Sequence, residues 1–152
     1  MHKSGEGVAI RQRRISLLAS ADPGLLDLLF RKTGLPEDHV SVRGPETGLV
    51  TVRGRTGGGG APFNVGEATV TRATVRLPDG AVGHSIMLGT DRHKARLAAI
   101  LDALATRPGL QELIEERILA PLERAQADGD DRVREETAAT RVDFFTMVRG
   151  ED

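Results

Sequence analysis

Glu67-Ala68-Thr69-Val70-Thr71-Arg72-Ala73-Thr74-Val75-Arg76-Leu77, followed by Pro78-Asp79-Gly80 and then Val82-Gly83-His84-Ser85-Ile86-Met87-Leu88, is the stretch that decides the fold. The first run is dense in Thr and Val, residues that fit a pleated, half-buried surface. Pro78-Asp79-Gly80 is tight-turn chemistry, and Val82–Leu88 returns as the partner strand. Upstream, Val40 and Val42 alternate with polar neighbours, as do Val50 and Val52. Pro45-Glu46-Thr47-Gly48 lies between them as a turn signal, which predicts strands at 39–43 and 48–55. No connection among these strands is long enough for a crossover helix, so the expected sheet is four-stranded and antiparallel.

Helical periodicity flanks the sheet. Over Ala9–Ser20, Ile10, Arg14, Leu17 and Leu18 share one face. Asp22-Pro23 restarts the backbone as N-cap and first helical residue, and Gly34-Leu35-Pro36 ends this second helix. After the sheet, Asp91 caps a helix with His93, Leu97, Ile100, Leu101 and Leu104 on one side. Pro108-Gly109 breaks it. Leu110, Leu113, Ile114, Ile118 and Leu122 form another, which Pro121 should kink or restart. The expected fold is α+β: two N-terminal helices, a four-stranded antiparallel sheet, two further helices and an extended or helical C-terminal arm. A single domain is expected over residues 1–127, with a charged linker and a partner-docking arm over 128–152.

Composition sets outer bounds. A chain of 152 residues with 39% hydrophobic content can bury one modest core, but only four residues are aromatic, all Phe. There is no Cys, so thiolate chemistry and disulfides are excluded. No window approaches about 18 consecutive apolar residues, which predicts a cytoplasmic chain without a membrane partner. A net charge of -1 gives no global reason to expect nucleic acid. The charge is nonetheless divided: Arg43–Arg96 holds eight basic residues against four acidic, and Glu112–Glu136 nine acidic against four arginines. Such asymmetry marks either a partner-facing surface or two segments that pair with each other.

Signs of catalysis are few. Gly57–Gly60 lacks the spacing of a phosphate loop and joins strand to strand, so it reads as a flexible hairpin connection. Of His2, His39, His84 and His93, none stands at helical ligand spacing from another, and no metal site is expected. His84 shares a strand face with Val82, Ile86 and Leu88, and reads as a hydrogen-bonded core residue; His93 reads as a packed, neutral imidazole. Glu67 and Asp91 are not paired as acid and base, and no catalytic residue is assigned. Arg53 and Arg55 share one strand face, and Arg72 and Arg76 another; they read as an anion-binding set or as a solvated sheet face. Without interleaved aromatics they make a poor nucleic-acid platform. At the C-terminus, Phe144 and Phe145 stand together behind the polar run Gln126–Glu136. Arg141, Phe144, Phe145, Met147, Val148 and Arg149 are therefore the candidate partner-docking residues.

Glu46-Thr47-Gly48-Leu49-Val50, Gly66–Ala73, Val75-Arg76-Leu77 and, most specifically, Arg141–Gly150 resemble the PhnG family of the bacterial carbon–phosphorus lyase system. Asp102-Ala103-Leu104 and Ile118–Leu122 fit at matching order, so that the resemblance spans roughly residues 10 to 152. It implies an accessory subunit in a core complex with PhnH, PhnI and PhnJ, bound most directly to PhnI and working with PhnL. That assembly transfers ribose 5-triphosphate from ATP to methylphosphonate and releases adenine, in organic phosphonate catabolism. ATP is then a substrate of the complex, no cofactor belongs to this chain, and the chain lacks a complete active site of its own. The alternative is a free-standing anion or nucleotide-phosphate binding domain using the sheet arginines.

Overall fold

Two helices come first, α1 (Lys3–Ser20) and α2 (Pro23–Thr33), in a computed structural model that describes residues 3–55, 57 and 59–139. Asp22 sets the break between them. Its carboxylate accepts the Leu25 N–H at 2.8 Å, and Pro23 occupies the first turn, where its missing N–H has no intrahelical partner to lose. Gly34, in the left-handed region at φ 64°, ends α2.

The sheet has three strands, not the expected four: β1 (Val40–Arg55), β2 (Pro62–Arg76) and β3 (Val82–Leu88), antiparallel in that order. The two strands expected at 39–43 and 48–55 are one. Gly44-Pro45 does not reverse the chain. Instead the register slips between Arg43 and Glu46, and pairing with β2 resumes at Glu46 opposite Arg72. Gly44 has φ 67°, and a Cβ there would sit 2.5 Å from the Glu46 nitrogen and 2.7 Å from the Arg72 oxygen. The physical reason lies in position: β1 is an edge strand, where a bulge absorbs extra residues and proline's missing N–H can be accommodated. β2 also begins at Pro62, upstream of the predicted Glu67.

One face of the sheet packs on α3 (Arg92–Leu104), which Asp91 caps by accepting the Lys94 N–H at 2.8 Å. α1 lies against α3 and β3, and α2 packs beside the last helical segment. Leu18, Leu26, Phe30, Val75, Leu97, Ile100, Leu101, Leu104, Ile114 and Ile118 fill the core. That last segment runs as α4 (Leu110–Ile114), a π-helical turn (Glu115–Leu119) and α5 (Ala120–Ala139). Pro121 sits in the first turn of α5 without ending the helical run. Its ring would collide with the Arg117 carbonyl four residues back, and the widened turn, in which the Ala120 N–H reaches Glu115 O, relieves this. α5 continues through Asp128-Gly129-Asp130-Asp131, where the sequence suggested a loosened linker. The arm residues Arg141, Phe144, Phe145, Met147, Val148 and Arg149 lie outside the described residues.

Asp102, fully buried on α3, joins three elements. Its carboxylate accepts Arg11 Nε at 3.1 Å, Arg11 Nη2 at 2.6 Å, Arg14 Nη2 at 2.9 Å and the His84 backbone N–H at 3.0 Å. Burial alone pushes this carboxyl up, but Arg11, the His84 amide and Arg14 together outweigh it and hold it below the usual carboxylate range. Asp102→Asn therefore leaves the buried Arg14 without its counter-charge, at an expected cost of about 3–5 kcal/mol. Because the folded value is depressed, the Asp102 contribution is present above about pH 4, the unfolded value. It is lost as pH falls through the lower folded one. Thermal midpoints measured from pH 7 to 3 should fall less steeply for Asp102→Asn than for the parent chain; equal slopes would contradict the assignment. A Cβ at Gly83 would lie 2.0 Å from the Ala99 oxygen and 2.5 Å from the Ala103 nitrogen, backbone atoms that cannot move aside. Gly83→Ala should cost about 3 kcal/mol, the upper end for overpacking. Calorimetry would read this as a fall of roughly 6–12 °C.

Candidate functional site

In β3 the bulky and small side chains face the opposite way from what hydrophobicity alone dictates. Gly83, Ser85 and Met87 point inward, with Thr71, Ala73 and Val75 beside them on β2. Val82, His84, Ile86 and Leu88 point outward. Ile86 is 52% exposed and Leu88 76%. The registers Val40–Arg76–Val82 and Glu46–Arg72–Ile86 extend this open face across all three strands, and at Gly48–Val70–Leu88 it ends on a buried Val70. His84 is thus not a core residue: it stands exposed on the open face, with Nδ1 3.1 Å from Thr74 Oγ1.

Beyond Val70 the sheet narrows to a two-stranded ribbon, because β3 pairs β2 only over Val70–Arg76. Here Gly48–Arg53 and Pro62–Glu67 are all exposed, including Leu49, Val52, Phe63 and Val65. Leu49 and Val52, three residues apart on one strand, face opposite sides, so apolar side chains stand open on both faces of the ribbon. Gly57, Gly59 and Gly60 lie at the ribbon tip between Arg55 and Pro62, which joins strand to strand.

The four sheet arginines are not brought together. Arg72 lies on the open face and donates through Nε to Glu46 Oε1 at 2.6 Å; Arg43 Nε reaches the same oxygen at 2.8 Å. These two guanidinium groups, Arg72 first, hold the Glu46 carboxyl below its ordinary range. Arg76 is exposed four residues further along β2. Arg53 and Arg55 pair with Asn64 and Pro62 near the ribbon tip. From Glu46 to Arg53 the strand rises roughly 23 Å at about 3.3 Å per residue. Arg53, Arg55 and Arg76 have no ion-pair partner among the described residues.

The remaining candidates have structural positions. Asp91 caps α3, Glu67 is exposed on the ribbon, and His93 stays half-exposed with Nε2 3.0 Å from Asp27 Oδ1. No group of three or more His, Asp or Glu gathers as a metal set among the described residues. In the acidic later segment, Glu115 and Glu123 bind Arg13 of α1 and not the basic middle. No described helix is long and apolar enough to cross a membrane. Ile86 and Leu88 were missed as site residues, although a strand whose other face is Gly, Ser and Met carried the signal.

Two comparisons bear on this apolar surface. The family model described as phosphonate metabolism protein PhnG matches residues 9–150. The chain is similar to the alpha-D-ribose 1-methylphosphonate 5-triphosphate synthase subunit PhnG of Rhizobium meliloti (strain 1021), with 56% identity over 150 residues, covering 96% of this chain and 93% of that protein. With the match running through α1, the sheet, the ribbon and the last helix alike, the chain belongs to the PhnG family of phosphonate metabolism proteins.

Proposed function

We propose that this chain is an accessory subunit of an alpha-D-ribose 1-methylphosphonate 5-triphosphate synthase, the activity printed in the name of its relative. It works in the cytoplasm and has no complete active site or cofactor of its own. Its partners are PhnI most directly, PhnH and PhnJ in the core complex, and PhnL functionally. ATP is the substrate of the assembly, which passes ribose 5-triphosphate to methylphosphonate as adenine leaves. The observation that carries this reading is the outward placement of Val82, Ile86 and Leu88 on β3. Each large apolar side chain buried against a partner stabilises the contact by about 1.5–3 kcal/mol, so this face and the ribbon supply ample docking energy. Seated on PhnI, the chain would exclude water and orient the phosphonate oxygen that attacks the ribose C1. The arm carrying Phe144, Phe145, Met147 and Val148 would add a second contact.

This reading is preferred to a free-standing anion-binding domain on Arg53, Arg55, Arg72 and Arg76, because Arg72 is already engaged by Glu46 and the two pairs stand apart. Product analysis tests the role. PhnI, PhnH and PhnL with ATP and methylphosphonate should give the ribosyl phosphonate only when this chain is present, and undiminished yield without it would refute the proposal. Copurification tests the surface. The double substitution Ile86→Glu/Leu88→Glu, and separately removal of residues 140–152, should each abolish copurification with PhnI while leaving the thermal midpoint within a few degrees of the parent. Retained copurification in the first variant places the interface elsewhere.

A further inference from the structure

Away from the sheet, a cleft of about 880 Å³ runs between α2 and the last helical segment. Leu29, Leu113 and Pro121, all partly buried, line its apolar part, and Lys32, Arg117 and Arg124 bring three cations to it. Leu113, Arg117, Pro121 and Arg124 recur at helical spacing, so they form one stripe facing α2. Nine arginines elsewhere are held by carboxylates. Lys32, Arg117 and Arg124 have no hydrogen-bond or ion-pair partner among the described residues. Glu116 is the one carboxylate in the lining, which leaves three positive charges against one negative. These cations do not hold the fold together.

We infer that this cleft binds a linear triphosphate group carried on a small molecule, with the rest of that molecule resting on Leu29, Leu113 and Pro121. The volume lies in the usual range of small-molecule sites. Arg117 and Arg124 are seven residues apart, about 10 Å along the helix axis. A chain of three phosphates spans that distance, so that each guanidinium fork grips its own pair of oxygens, whereas a single phosphate has to share its few oxygens between them. A longer acidic peptide fits worse. One turn past Arg124 the stripe meets Asp128, and Asp130 and Asp131 follow, so a peptide continuing along α5 runs into like charge. This inference stands apart from the assembly role, since none of the lining belongs to the open face or the ribbon.

Isothermal titration of the full-length chain tests it, with sodium tripolyphosphate, ATP and inorganic phosphate as separate titrants. Tripolyphosphate and ATP should both bind at one site per chain, and orthophosphate at least tenfold more weakly. A tighter ATP than tripolyphosphate identifies the nucleotide as the better occupant, and the reverse order the free triphosphate; either leaves the site assigned. Arg117→Glu/Arg124→Glu should weaken both by more than about tenfold, the effect of losing a charge-assisted hydrogen bond, with unchanged circular dichroism and unchanged copurification with PhnI. Arg53→Glu/Arg55→Glu, at the ribbon tip, should bind as the parent does. No heat with tripolyphosphate, equal weakening by the two double variants, or binding of an Asp-rich peptide in preference to triphosphate would each overturn the inference.

Discussion

A carboxylate buried in α3 constrains everything packed around it. An ion in the interior costs several kcal/mol unless its oxygens are fully partnered, and Asp102 finds donors on α1 and on β3 at once. α1 and β3 are thereby fixed relative to α3. The His84 amide brings the strand backbone to within hydrogen-bond distance of a helix side chain, and Ser85 Oγ donates to the Ala95 carbonyl at 2.6 Å. At such an approach the inward face of β3 admits only small residues beside Asp102 and Ala95, which accounts for Gly83 and Ser85, while Met87 fits further along the strand. The bulk of the strand must then lie on its other face. The exposed Ile86 and Leu88 are consequences of this packing.

Signals that act over a few residues were legible in the sequence. Asp22-Pro23, Gly34 and Asp91 do at the helix ends what their chemistry dictates, and Pro78-Asp79-Gly80 turns the chain, with the Gly80 N–H bonded to Leu77 O at 2.9 Å. Signals that depend on distant atoms were not. Glycine followed by proline serves both a reversing turn and a bulge; what decides between them at Gly44-Pro45 is the pairing of Glu46 with Arg72, 26 residues away. Periodicity tells which residues share a face and not which face is covered, so His84 was assigned to the core with Val82, Ile86 and Leu88. Asp102 interrupts the apolar stripe of α3, but its partners Arg11 and Arg14 lie 91 and 88 residues upstream. The family was legible because it rested on whole stretches, which survive errors about faces and turns.

The division of charge resolves in the same way. Arg13 takes Glu115 and Glu123 of the acidic later segment, while Glu46 takes Arg43 and Arg72 within the sheet. Charges that position elements are thus spent on near neighbours in the fold. Among those without a partner in the described residues are Arg53 and Arg55 at the ribbon, Arg76, and the three cations of the cleft beside α2.

The ribbon makes the strongest demand for such a partner. Two strands alone are marginal in water, and here they lack both a third strand and a covering helix. Their root is held firmly: Thr47 Oγ1 and Thr71 Oγ1 share a hydrogen bond at 3.0 Å, and Thr71 Oγ1 donates to Gly89 O at 2.8 Å. Their outer half carries Leu49, Phe63 and Val65 in the open, together with β1's unpaired edge. Such an edge invites pairing with other copies of the chain. Arg53, Arg55 and Pro62 stand at the end where that pairing would start, two charges and a residue without an N–H donor. On this argument the ribbon arginines discourage the wrong partner, and the apolar residues behind them reward the right one.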